Sequence, residues 1–172
     1  MKALIVIDVQ NDFVTGSLGS EAAQAIIPKV SALVDEFYGN RDAIYYTQDT
    51  HFDDYSKTQE GEKLPIKHCR FNTEGWQIVK EVNVPDGPNI YRITKETFGY
   101  INWNKFHLNQ YDEIVICGLV SSICVISNAL ILKALYPELP IKFVAYASAG
   151  LTPENHKAAC EVMRSCQIEV IE

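Results

Sequence analysis

The chain has 172 residues and a net charge of −7, with 47% apolar and 22% charged residues. That length suits a single domain over residues 1–172, large enough to bury a proper core. The acidic balance disfavours nucleic acid or an anionic membrane surface as partner, since phosphate binding needs clustered Lys and Arg, and no apolar run approaches a membrane span.

In chain order, KALIVID (2–8) is a continuous apolar run ending in a charge, the pattern of a strand buried on both faces. The run is too short for a signal peptide and lacks a small-residue cleavage site. Glu21 to Tyr38 carries apolar residues at helical spacing, with Ser20 as N-cap, Gly39 as stop and Pro28 inside. DAIYYTQD (42–49) reads as a second strand, and the polar stretch 49–75 as a long loop of the kind that is usually functional. Trp76 to Val79 suggests a helical turn, 89–95 a third strand, 99–108 a short helix, and 112–118 a fourth strand leading into a helix from about Ser122 to Tyr136. A strand at 140–147, a helix from Pro153 to Ser165 and a strand at 167–171 complete the chain. Strands alternating with helices predict an α/β, three-layer Rossmann-like fold: a mostly parallel sheet with helices on both faces. The five cysteines are odd in number and lack CxxC spacing, which points to free thiols in a reducing cytoplasm and argues against a thiol redox protein.

Ligands bind at the carboxyl ends of the strands in such sheets. Asp8, Asp49 with His51, Lys95 and Cys124 all fall at those ends. On its own, Cys124 reads as a small core residue, Asp8 as a loop cap and Lys95 as a surface lysine. Together they supply a nucleophile, a base to take its proton and later deliver it to a leaving amine, and a cation to balance both. A cysteine at a helix start is also expected to have a lowered pKa, with nearby backbone N–H groups to hold an oxyanion. Asp49, His51 and His68 suit zinc or a similar divalent ion, with Glu60 or Glu62 adding an oxygen; surface histidines on a solvated loop are the alternative. Phe13, Trp76, Phe98 and Tyr100 are aromatics that would wall a pocket for a flat substrate or simply pack beneath the loop.

IDVQNDF (7–13), QDTHFDDY (48–55), LPIKHC (64–69), ITKETFG (93–99) and GLVSSICV (118–125), in that order, resemble the isochorismatase-like cysteine hydrolase superfamily, and the D-x-H and H-C elements its nicotinamidase branch. The resemblance implies a catalytic triad of Asp8, Lys95 and Cys124. It implies a cis peptide at Leu119–Val120, with an oxyanion hole from the N–H groups of Val120 and Cys124. It also implies metal ligation by Asp49, His51 and His68, with Glu60 as a further ligand, holding zinc or else manganese or iron. Phe13, Trp76 and Phe98 are then the substrate-binding aromatics. The activity implied is hydrolysis of a non-peptide C–N bond, nicotinamide to nicotinate and ammonia. Another small amide, ureido or N-carbamoyl compound is the alternative substrate, and a non-catalytic metal- or small-molecule-binding protein the alternative class. Homo-oligomers are common in the superfamily, though no residue here identifies an interface. Two departures stand out: Tyr146 where many members have Asp, and Lys57 where some have a metal-binding His.

Overall fold

The computed structural model describes residues 1–82 and 84–172. Its strands are β1 (Ala3–Ile7), β2 (Ala43–Asp49), β3 (Ile90–Lys95), β4 (Ile114–Leu119), β5 (Ile141–Ala149) and β6 (Glu169–Ile171). They form one sheet in the order β3-β2-β1-β4-β5-β6, and every pairing is parallel. The helices are α1 (Asn11–Val14), α2 (Glu21–Gly39), α3 (Gln59–Lys63), α4 (Ile126–Leu135) and α5 (Pro153–Ser165). The expected α/β layering therefore holds, with a sheet that is wholly rather than mostly parallel.

Side chains alternate across a strand, so each strand feeds two cores. Leu4 and Val6 of β1 join Ile26, Val30 and Val34 of α2 on one face. Ala3, Ile5 and Ile7 join Ala129 and Leu132 of α4 and Met163 of α5 on the other. The central strands are apolar throughout because both faces are covered. The side-chain oxygen of Ser20 accepts the Ala23 N–H at 3.1 Å, starting α2 as expected, and Pro28 does not interrupt it. A proline there removes one internal hydrogen bond, and the seven buried apolar residues of α2 hold it to the sheet regardless. Thr152 caps α5 in the same way, with Pro153 in its first turn.

Three local expectations are corrected. Residues 99–108 form no α-helix; short 3₁₀ turns at Trp103–Phe106 and Leu108–Gln110 meet at His107, whose φ of 49° ends the first. Trp103 is fully buried, and its packing overrides a weak local pattern. The turn expected at Trp76–Val79 is instead a bridge between Ile78 and Gln10, with a 3₁₀ turn following at Lys80–Val82. The helix expected from Ser122 begins with a wide π-type turn over Ser121–Val125 before α4 proper. Among the described residues, no helix is long and apolar enough to cross a membrane.

Candidate active site

Register explains how distant residues meet. Asp49 at the end of β2 lies beside Lys95 at the end of β3, and Ile7 of β1 lies beside Gly118 of β4. Asp8 follows Ile7 and turns the chain with a φ of 48°, a left-handed conformation that Asp adopts more readily than most non-glycine residues. Gly118 has a φ of 118°, and a Cβ there would lie 2.2 Å from the Ile7 carbonyl oxygen, so only glycine lets β4 approach β1 this closely. The Leu119–Val120 peptide is cis, as the resemblance implied.

Asp8, Lys95 and Cys124 come together in the interior, all buried. Lys95 Nζ lies 2.6 Å from Asp8 Oδ2 and donates to Cys124 Sγ at 3.7 Å. Thr47 Oγ1 donates to Asp8 Oδ1 at 2.6 Å and accepts the Asp8 backbone N–H at 3.1 Å. Asp8 Oδ2 instead faces the Lys95 ammonium in this close ion pair. It is the oxygen that Thr47 does not hold.

The electrostatics correct the expectation of a lowered thiol pKa. Burial, then the adjacent Asp8 carboxylate, push the Cys124 pKa well above the ordinary thiol value, and Lys95 opposes them. Cys124 sits inside the wide turn rather than at an exposed helix start, so desolvation outweighs any helix-end field. Burial also raises the Asp8 pKa, with Lys95 opposing. Burial alone would lower the pKa of Lys95, but Asp8, Cys124 and Asp49 hold it above its usual range. Burial thus works against the thiolate and the carboxylate alike, and Lys95 favours the charged forms of both neighbours.

Asp49 also belongs to a second cluster. Its Oδ1 accepts from Lys95 Nζ at 3.2 Å, while its Oδ2 lies 2.9 Å from His51 Nε2 and 3.6 Å from His68 Nε2. Glu60 Oε1 lies 3.6 Å from His51 Nε2 and 3.8 Å from His68 Nε2. One donor atom from each of Asp49, His51, Glu60 and His68 falls within 4.8 Å of all the others. Glu62, the alternative oxygen ligand, is exposed and outside this group. The loop is built for this convergence. Strand-like pairing between His51 and Arg70 folds the His68 segment back, and the Thr58 hydroxyl caps α3, which carries Glu60. His68 Nδ1 is 2.8 Å from the Ile66 carbonyl oxygen, which makes it the protonated nitrogen and leaves Nε2 a lone pair. His51 Nε2 is buried and points at the Asp49 carboxylate and the Glu60 side chain. Burial and the nearby Asp49 raise the Glu60 pKa. Two imidazole lone pairs and two crowded carboxylates are the donor set of a divalent cation, so the residues fit one.

A cavity of about 620 Å³ opens beside this cluster, lined by His51, Phe52, Glu60, Leu64, Phe98 and Ile123 among others. Of the expected substrate-binding aromatics, Phe98 lines it. Phe13 is buried with its ring 5.6 Å from that of His68. Trp76 is half-buried, donates its indole N–H to Thr50 Oγ1 at 2.9 Å and does not line this cavity. A larger hollow of about 1010 Å³ between α1, α2 and residues 74–81 shares no residue with the triad or the metal cluster.

Sequence reasoning missed the supports of these groups. The Gln10 side chain accepts the Asp49 N–H at 2.8 Å and donates to the Asp49 carbonyl at 2.9 Å. Asp12 Oδ2 accepts the Cys69 N–H at 2.7 Å, beside His68. Asn128 is a buried amide in a mostly apolar helix, and that was the available signal for it.

Comparison with known proteins places this architecture. A nicotinamidase from Schizosaccharomyces pombe is 27% identical, over 98% of this chain and 92% of its own length. The structure of a nicotinamidase/pyrazinamidase from Bacillus subtilis superposes with a TM-score of 0.88 at 26% identity, covering 99% of both chains. That of the pyrazinamidase of Pyrococcus horikoshii in complex with zinc gives a TM-score of 0.83 at 28% identity, over 99% of this chain and 98% of that one. The isochorismatase domain model matches residues 2–172, and the chain thus belongs to the isochorismatase family.

Proposed function

We propose that this protein is a cysteine amidohydrolase that converts nicotinamide and water to nicotinate and ammonia. The observation that carries the reading is the buried Asp8–Lys95–Cys124 group, with Nζ 2.6 Å from the carboxylate and 3.7 Å from the sulfur. The nicotinamidase relatives support the choice of substrate.

In this mechanism Asp8 Oδ2 takes the thiol proton, and Lys95 stabilises the charges this creates. The sulfur attacks the amide carbon. The N–H of Val120, which donates to no acceptor among the described residues, and that of Cys124 hold the oxyanion. Asp8 returns the proton to the departing ammonia, leaving a thioester on Cys124. Asp8 then takes a proton from water as the water attacks the thioester, and returns it to sulfur as nicotinate leaves. Asp49, His51, Glu60 and His68 would hold the divalent ion, which we take as zinc, with manganese or iron as alternatives; the zinc-bound neighbour supports that choice. When bound, the ion supplies a Lewis acid for the ring nitrogen or a water. Phe98 and Phe13 supply aromatic surface near the substrate. The five free thiols support a cytoplasmic setting.

The cavity of about 620 Å³ favours one second reading, a larger amide, ureido or N-carbamoyl substrate, because that volume lies within the range of pockets for drug-sized ligands. Ammonia release from nicotinamide by wild type beside Cys124→Ala tests the proposal, before and after chelation and zinc replenishment. We expect release from the wild type only, lost on chelation and restored by metal. Full turnover by Cys124→Ala would overturn the mechanism, and turnover indifferent to metal content would remove the metal's role. Turnover of larger amides with none of nicotinamide would select the second reading.

A further inference from the structure

We propose that Asn128 is a positioning residue that sets the separation between the Cys124 sulfur and the Phe98 wall, and with it the preference of the site for flat aromatic amides. The inference rests on the reading of Cys124 as nucleophile, but not on nicotinamide as substrate.

Asn128 lies one helical turn beyond Cys124 and is fully buried. Its Nδ2 donates to the Cys124 carbonyl at 2.7 Å and to the Phe98 carbonyl at 3.2 Å. Its Oδ1 accepts the Tyr100 backbone N–H and the Trp103 indole N–H, both at 2.9 Å. All four hydrogen-bonding positions of the amide are used, and only one orientation satisfies them: a flipped amide would face two N–H groups with its NH₂ and two carbonyls with its oxygen. One rigid group thus joins the nucleophile's own turn to the segment bearing the aromatic wall. The same segment is pressed against α4 at Gly99, where a Cβ would lie 2.5 Å from Ile131 Cδ1 and 3.2 Å from Ser127 Cβ. Phe98 itself stays 46% exposed and faces the cavity alongside Ile123 of the nucleophile's turn. Phe98 does not hold this position by burying its own ring, so the polar clamp beneath it supplies the constraint.

The test compares alkylation of Cys124 by iodoacetamide and by its N-phenyl analogue, read on the Cys124 peptide by mass spectrometry and referred to a free thiol. In Asn128→Ser the hydroxyl can still bond the carbonyl four residues back, that of Cys124, but cannot reach the wall segment. We expect the iodoacetamide rate to stay within about twofold of wild type while the preference for the phenyl reagent falls about three- to tenfold. Gly99→Ala should lower the same preference by displacing the segment, and Phe98→Ala, at a half-exposed position, should abolish it without endangering the fold. If nicotinamide is turned over, Asn128→Ser raises its KM more than it lowers kcat. An unchanged phenyl preference in a folded Asn128→Ser or Gly99→Ala variant, or in Phe98→Ala, overturns the proposal; so does parallel slowing of both reagents by Asn128→Ser, which is what a merely structural residue would give. A lost phenyl preference with no ammonia released by the wild type from nicotinamide would retain Asn128 and discard the substrate. Ammonia release with an unchanged preference would do the reverse.

Discussion

In the proposed mechanism, Thr47 bears on how Asp8 acts as a base. Its hydroxyl occupies Oδ1 at 2.6 Å, which leaves Oδ2, paired with Lys95, as the oxygen to take the thiol proton in that mechanism. A hydrogen bond to a carboxylate favours its charged form, and Thr47 works in that direction against the burial that raises the Asp8 pKa. Because the base must be ionised, activity should be lost as pH falls through a value above the ordinary 3.8 of aspartate. Thr47→Val keeps the shape and removes the bond. The acid limb of kcat/KM should then move to higher pH, with kcat/KM near neutrality reduced about tenfold. A pH–rate profile of the two proteins measures this, and an acid limb that stays in place would separate Thr47 from Asp8. Asp8, Lys95 and Cys124 were each legible in the sequence as chemistry-bearing residues at strand ends, and the proposed metal ligands as an Asp-x-His pair with a second His. Thr47 and Gln10 were not, because a residue that acts through hydrogen bonds to a distant strand leaves no local spacing to read. The thiol's pKa was misread for a related reason. Proximity to a helix start is visible in a sequence, whereas the desolvation that outweighs it depends on what covers the site.

The elements that carry these residues are held by close backbone approach at one point. Gly118 lies opposite Ile7 in the β1–β4 pairing, and its Ser148 neighbour on β5 accepts the Gly118 N–H on Oγ at 3.0 Å. Gly118→Ala introduces a Cβ 2.2 Å from a backbone oxygen that has no side-chain freedom to yield, at a φ of 118°. We expect a loss of about 3 kcal/mol or more in denaturant unfolding, with activity falling in whatever remains folded because Asp8 follows Ile7 directly. A loss below about 1 kcal/mol would show that β1 and β4 separate easily. The long elements were readable from periodicity: α2, α5 and the apolar strands match their expected limits within a few residues. The segments at 76–79 and 99–108 were not, since short pieces take their conformation from what they pack against.

Over the whole molecule, the proposed catalytic and metal-binding groups gather at the carboxyl end of the sheet, and ion pairs tie the opposite end. Glu113 lies 2.7 Å from Lys2 Nζ and 3.0 Å from Lys142 Nζ, linking the amino ends of β1, β4 and β5. Burial would raise the Glu113 pKa, but bonds to Lys2 and Lys142 outweigh it and hold the carboxyl below its usual 4.5. A depressed carboxyl pKa contributes stability above the unfolded-state value, and that contribution is lost as pH falls through the folded-state value. Glu113→Gln should therefore cost about 0.5–1 kcal/mol at neutral pH, modest because both lysines are partly exposed, and the difference from wild type should shrink as pH falls below 4.5 and through the lowered folded-state value. A difference that persists in acid would assign the effect to packing. By itself the sequence determined the α/β class, the strand and helix succession and the residues able to do chemistry, because apolar periodicity and side-chain type are local properties. Only the tertiary structure decided that Asp49 faces both Lys95 and the two histidines, that Glu60 rather than Glu62 joins them, that burial raises the thiol pKa, and that Asn128 ties the Cys124 turn to the Phe98 segment. Each of these depends on strand register and on the exclusion of water, which exist only once the chain is packed.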